Sequence, residues 1–156
     1  MTKVENTNTA VQAEKKIKSA SNSSSNSLKP TSAFISASWV ALMAGMVAYC
    51  IGLFNATMAL NEKGYYLVVL LFGLFSVISV QKSVRDRSEG LQVTDIYYGI
   101  SWFTSVASIL FLAIGLWRAD LLPSEKGFYG MAYTLSLFAA IAVQKNTRDI
   151  QFINKK

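Results

Sequence analysis

The sequence predicts an all-α integral membrane protein, with four transmembrane helices forming two tandem helical hairpin repeats of parallel orientation. Three observations carry this reading. Residues 34–54, 65–80, 96–117 and 127–143 contain no charged side chain at all. Across the 156 residues only 15% are charged, against about 25% in ordinary soluble domains, so a soluble four-helix bundle has no charged outer faces to show to water. Finally, residues 38–86 recur at 101–149 without a gap, with 19 of 49 aligned positions identical.

The elements follow in order. Residues 1–33 form a separate tail, and its Ser/Asn-rich run at 19–27 has nothing to bury and is expected to stay disordered. The first repeat occupies 34–87, a linker 88–95, the second repeat 96–150 and a short tail 151–156. Stretches 34–54 and 96–117 are long enough to cross about 30 Å of hydrocarbon at 1.5 Å per residue. Stretches 65–80 and 127–143 are shorter, and span if Lys63 or Gly64 begins the helix and Lys82 or Lys145 snorkels at its far end. Backbone groups in lipid must be satisfied within the segment, so helix is the expected state. A transmembrane barrel would alternate polar and apolar residues, and residues 67–72 do not.

The repeat is carried by polar and aromatic signatures as well as by apolar ones. Ser38-Trp39 returns as Ser101-Trp102, and Ile51-Gly52-Leu53 as Ile114-Gly115-Leu116. Glu62-Lys63-Gly64-Tyr65-Tyr66 returns as Glu125-Lys126-Gly127-Phe128-Tyr129. Gln81-Lys82 with Arg85-Asp86 returns as Gln144-Lys145 with Arg148-Asp149. Each unit crosses twice and comes back to its starting side, so the two units share one orientation and are related by an axis along the membrane normal. These motifs resemble the bacterial YiaA/YiaB two-helix domain over about residues 31–150. The resemblance implies a bacterial inner membrane protein with two tandem domains, and it brings no established activity and no catalytic residues.

Charge sets the expected topology. The two tails and the central loop hold 12 Lys and Arg, while the two loops inside the repeats hold 3. The positive-inside rule then puts both termini in the cytoplasm of an inner-membrane multi-pass protein. Trp39, Tyr97, Tyr98 and Trp102 are expected near the cytoplasmic interface, and Phe54, Tyr65, Tyr66, Trp117, Phe128 and Tyr129 near the other, as an aromatic belt.

Function classes narrow less. There is no His, and Cys50 is the single Cys, so the usual general base, a disulfide framework and a Cys-rich metal site are all missing. No cofactor, metal or catalytic residue is predicted, and the protein is not expected to be an enzyme. The net charge of +6 belongs to tails and helix ends, which suits membrane-surface anchoring and not nucleic acid.

Two recurring motifs remain as candidates. Glu62, Lys63, Gly64 and Glu125, Lys126, Gly127 stand at helix starts, with Asn61 and Ser124 as expected N-caps and the glycines allowing close approach of a neighbouring helix. Gln81, Lys82, Arg85, Asp86 and Gln144, Lys145, Arg148, Asp149 form a cytoplasmic rim motif, in which Lys82 with Asp86 and Lys145 with Asp149 are spaced to pair. Small residues share faces at Ala44, Ala48, Gly52 and at Ala132, Ser136, Ala140, as a seam between hairpins or between copies. The expected partners are the lipid bilayer and a second copy or another membrane protein. The expected role is structural or interactive, with a small oligomeric transporter or channel as the alternative. An ion carrier ordinarily needs an intramembrane ionisable group, and the four stretches have none.

Overall fold

The computed structural model describes Gln12, Lys15, Lys16 and residues 30–154. Those three early residues are helical and exposed, and the others of 1–29, including the run expected to be disordered, lie outside the described residues, while Ser32 and Ala33 of the expected tail already belong to the first helix. From residue 30 onward the chain forms four helices, α1 (Ser32–Asn55), α2 (Leu60–Ser88), α3 (Asp95–Arg118) and α4 (Pro123–Asn154). All four are long and apolar enough to cross a membrane, with mean hydropathies of 1.8, 2.0, 1.9 and 1.3 over their most apolar windows.

The two stretches that looked short are in fact the longer helices. α2 has 29 residues and α4 has 32, or about 43 and 48 Å at 1.5 Å per residue. Counting charge-free residues underestimates a helix whose ends carry charge into the interface. Each helix start also lies upstream of the predicted caps. The first residues are Leu60 and Pro123, so Asn61 and Ser124 fall inside the first turn. Proline suits that position because its missing N–H would be unpaired there anyway. The turn that follows α2 passes through Gly90, whose φ of 75° lets Leu91 N–H reach the Asp86 carbonyl at 2.9 Å and Gly90 N–H the Arg87 carbonyl at 3.2 Å.

The helices of one repeat are not each other's main partners. α1 packs chiefly on α4, α2 packs on α3, and α2 also meets α4 at the centre. The α1·α4 contact runs from end to end, through Ser38 with Asn146, Gly45 with Ser136 and Gly52 with Phe128. The α2·α3 contact repeats it through Ser83 with Ser101, Phe72 with Phe111 and Tyr65 with Gly115. Each repeat is therefore an open V, joined at its apex by a loop of four residues, 56–59 or 119–122. The second helix of one repeat lies between the arms of the other. We call the end carrying these two loops the loop rim, and the end carrying the 89–94 linker the terminal rim.

The interior is built of small and hydroxyl-bearing residues. Ser38, Ser76, Ser79, Ser83, Ser101, Ser108, Ser136 and Asn146 are buried, while many large apolar side chains point outward, Phe75, Phe103 and Phe138 among them. In lipid this inversion costs nothing, because tails cover the outer face and small residues let helices approach closely. Most of the buried serines donate to carbonyls three or four residues earlier in their own helix, as Ser83 does to Ser79 at 2.6 Å.

Candidate functional site

The recurring sequence motifs meet across the repeats. Near the loop rim, a Cβ on Gly52 would sit 2.6 Å from the Phe128 ring, and one on Gly115 would sit 2.7 Å from the Tyr65 ring. The Ile-Gly-Leu motif of each repeat thus supplies the notch that receives the aromatic residue of the other repeat's Glu-Lys-Gly motif. Tyr66 and Tyr129, the next residues, stack on each other with ring centroids 6.1 Å apart and planes 16° apart. They are equivalent positions of the two repeats, so the stack lies on the axis relating them. Both are buried, which corrects their assignment to the interfacial belt. Tyr49 and Tyr133 complete the cluster, and Tyr49 donates to the Tyr66 carbonyl at 3.0 Å.

At the terminal rim the same exchange joins the Ser-Trp motif to the Gln-Lys motif. Asn146 Nδ2 donates to Ser38 Oγ at 3.0 Å, and the equivalent pair Ser83 and Ser101 shares a hydrogen bond at 3.2 Å. The bonding residue in each case is the third of the motif, which differs between the repeats and so escaped notice as a candidate.

The predicted site residues divide accordingly. Glu62 Oε2 accepts the Ala59 N–H at 3.0 Å, and Glu125 Oε2 accepts the Leu122 N–H at 2.9 Å, each returning from the first turn to the residue before the helix. Lys63 reaches back to the Phe54 carbonyl at the end of α1, at 3.0 Å. Lys126 is half-buried. Gly64 and Gly127 have nothing within 4 Å of an added Cβ, so they are not the points of close approach. Those points are Gly45, Gly52, Gly73 and Gly115. The expected small-residue face of α4 is buried at Ala132, Ser136 and Ala140; on α1 the contact falls on Gly45 and on Gly52 of the expected face, while Ala44 is exposed.

At the terminal rim Lys82 and Lys145 are exposed, while Gln81, Arg85, Asp86, Gln144, Arg148 and Asp149 are half-buried. Asp86 pairs with Arg85 at 3.1 Å and not with Lys82, and Arg85 also meets Glu89 at 3.1 Å. Arg85 outcompetes Lys82 because its planar fork serves two carboxylates at once. Among the described residues no ion pair joins Lys145 to Asp149. Arg87 links the end of α2 to the start of α3, 3.3 Å from Asp95 and 5.0 Å above the Tyr98 ring.

No group of three or more potential metal-ligating His, Cys, Asp or Glu converges among the described residues. A shallow groove of about 310 Å³ lies at the loop rim beside Gly52, Asn55, Glu125 and Phe128. Its one carboxylate, Glu125, is already engaged by Leu122.

These features define a multi-pass helical membrane protein made of two fused, interlocked hairpins. The yiaA/B two helix domain matches residues 34–86 and again 97–149, so the chain belongs to that family. It is 57% identical to the inner membrane protein YiaA of Escherichia coli (strain K12) over 117 residues, 75% of this chain and 81% of that protein. It is 38% identical to the uncharacterized membrane protein YubF of Bacillus subtilis (strain 168) over 64 residues, 40% of this chain and 74% of that protein. No solved structure matches the chain. The protein is thus a multi-pass inner membrane protein of the yiaA/B family.

Proposed function

We propose that this protein acts as a structural or interaction component of the inner membrane, without enzymatic activity, with its terminal rim in the cytoplasm. One observation carries the reading. Recurring residues such as Gly52 with Gly115 and Tyr66 with Tyr129 hold the repeats together. Of the recurring charged side chains, Glu62, Glu125, Lys82 and Lys145 are exposed; the two glutamates accept backbone N–H groups at their own helix starts, and Lys82 and Lys145 stand at matching positions on the terminal rim. Neither lysine forms an ion pair among the described residues. Cations at helix C-termini suit anionic headgroups and the acidic surface of a membrane partner or a second copy. The interior supports the same reading, because among the described residues it buries no ionised side chain that could serve an ionic substrate.

The test is crosslinking and affinity capture from native membranes, comparing the wild-type chain with Lys82→Glu/Lys145→Glu. The expected result is a defined partner, or a defined oligomer, that the double variant loses. Capture of neither from wild-type membranes, or capture unaffected by the charge reversal, would overturn the proposal.

A further inference from the structure

The groove at the loop rim lies between the end of α1 and the start of α4, and Gly52, Asn55, Ser124, Glu125, Phe128 and Tyr129 line it. α1 has 24 residues, about 36 Å at 1.5 Å per residue, which exceeds about 30 Å of hydrocarbon and leaves its ends at headgroup depth. The open polar atoms of the groove are acceptors. Asn55 Nδ2 donates to the Ile51 carbonyl at 2.8 Å, which orients the amide and leaves Oδ1 open. Glu125 Oε2 takes the Leu122 N–H at 2.9 Å, which leaves Oε1 open. Among the described residues no hydrogen bond reaches Asn55 Oδ1, Glu125 Oε1 or Ser124 Oγ. Phe128 and Tyr129 form an aromatic wall, their rings edge to face with centroids 5.8 Å apart and planes at 73°.

The charge of the groove has one sign. Glu125 is its one ionised lining residue, and among the described residues no ion pair includes it. The last carbonyls of α1 add partial negative charge, and the start of α4 opposes them with a positive end of about half a unit, which the full charge of Glu125 exceeds. One ammonium is held at this end of α1 already, since Lys63 Nζ donates to the Phe54 carbonyl at 3.0 Å. The two repeats also differ here. Arg118 is the last residue of α3, as Asn55 is of α1. The equivalent place, between the end of α3 and the start of α2, therefore has a carboxylate in Glu62 and a cation of its own in Arg118. In the α1·α4 pair Asn55 stands in place of that cation, and the Glu125 groove is left one positive charge short.

A carboxylate, two further oxygen acceptors and an aromatic wall suit a cation that donates several hydrogen bonds. We propose that the groove binds a primary ammonium group, carried by an ethanolamine lipid headgroup or by a free amine. Its three N–H donors match the carboxylate, amide and hydroxyl oxygens of Glu125, Asn55 and Ser124. The site stands at the opposite rim from Lys82 and Lys145, so failure to capture a partner through those lysines leaves it standing.

The test follows the Gly52 and Ser124 backbone amides by NMR, with the full chain in neutral detergent micelles. Phosphatidylethanolamine, phosphatidylcholine and phosphatidylglycerol are titrated in turn, and a further arm uses free ethanolamine. Phosphatidylethanolamine should shift both amides saturably. Phosphatidylcholine should bind about tenfold more weakly, because its quaternary ammonium keeps the charge but donates no hydrogen bond, and phosphatidylglycerol should not bind. Glu125→Gln keeps an acceptor for the Leu122 N–H and should weaken binding about tenfold. Asn55→Arg, which copies the other repeat, should abolish it by supplying the cation from the chain. Glu62→Gln, the same change at the other helix start, should leave it unchanged. Saturation by free ethanolamine at the concentration that the lipid requires identifies a free amine as the occupant, and saturation by the lipid alone identifies the headgroup. No saturable shift in either arm, equal binding of the ethanolamine and choline lipids, or binding indifferent to Glu125→Gln and Asn55→Arg would overturn the proposal.

Discussion

Replacing Gly45 by alanine tests the α1·α4 interface directly. A Cβ there would lie 2.6 Å from Ser136 Oγ, 3.0 Å from Ser136 N and 3.2 Å from the Ala132 carbonyl oxygen. The hydroxyl can rotate away, but the other two atoms are backbone of α4 and move only if the helices separate. Overpacking of this kind costs about 1–3 kcal/mol, a shift of about fivefold to more than a hundredfold in the folded-to-unfolded ratio. Alanine also favours the helix over glycine by about 0.5–1 kcal/mol, which partly masks the loss. Gly64→Ala supplies the control, because it carries the propensity gain with nothing within 4 Å. The difference between the two variants is then the steric cost alone. Unfolding of purified protein in mixed micelles with increasing SDS, followed by circular dichroism, measures both. Gly45→Ala should unfold earlier than wild type and Gly64→Ala slightly later. Adding Ser136→Gly to Gly45→Ala should recover only part of the loss, since the backbone contacts remain. Equal midpoints for Gly45→Ala and Gly64→Ala would refute the close approach and the helix pairing built on it.

Other outcomes follow from the same geometry. With Cys50 replaced, Ser38→Cys/Asn146→Cys should form an intrachain disulfide on oxidation, while Ser38→Cys/Ser83→Cys, within one repeat, should not; gel mobility distinguishes them, and the reverse result would mean that each hairpin packs on itself. Tyr65→Phe removes the 2.6 Å bond to the Phe111 carbonyl and should lower stability by about 0.6–1.7 kcal/mol, the range for hydrogen bonds between helices in membranes. Glu62→Ala and Glu125→Ala each leave one backbone N–H without its carboxylate, and each should cost about 0.5–2 kcal/mol in the same unfolding assay. Gly73→Ala should be strongly destabilising because Tyr133 fills the notch, and Tyr133→Phe should reduce the penalty without removing it, since ring carbon remains 2.8 Å from the added Cβ.

The amino-acid sequence by itself determined the solvent, the number of helices and the duplication. Long charge-free stretches have one stable surrounding, and polar signatures repeating in register at Glu62 and Glu125, or Gln81 and Gln144, mark equivalent places whatever the packing. It also pointed to the helix starts, although the capping there belongs to the glutamates and not to Asn61 or Ser124. Only the tertiary structure decided which helices pair. Hydropathy cannot separate a glycine that faces lipid from one that receives a ring. Gly64 and Gly52 look alike in sequence, yet one has open space and the other holds Phe128. The choice rests on short-range steric fit between residues 76 positions apart, and on hydrogen bonds such as that between Ser38 and Asn146 across 108. Lipid is indifferent to which apolar faces meet, so the shape of the small residues, and not their hydrophobicity, interlocks the two repeats.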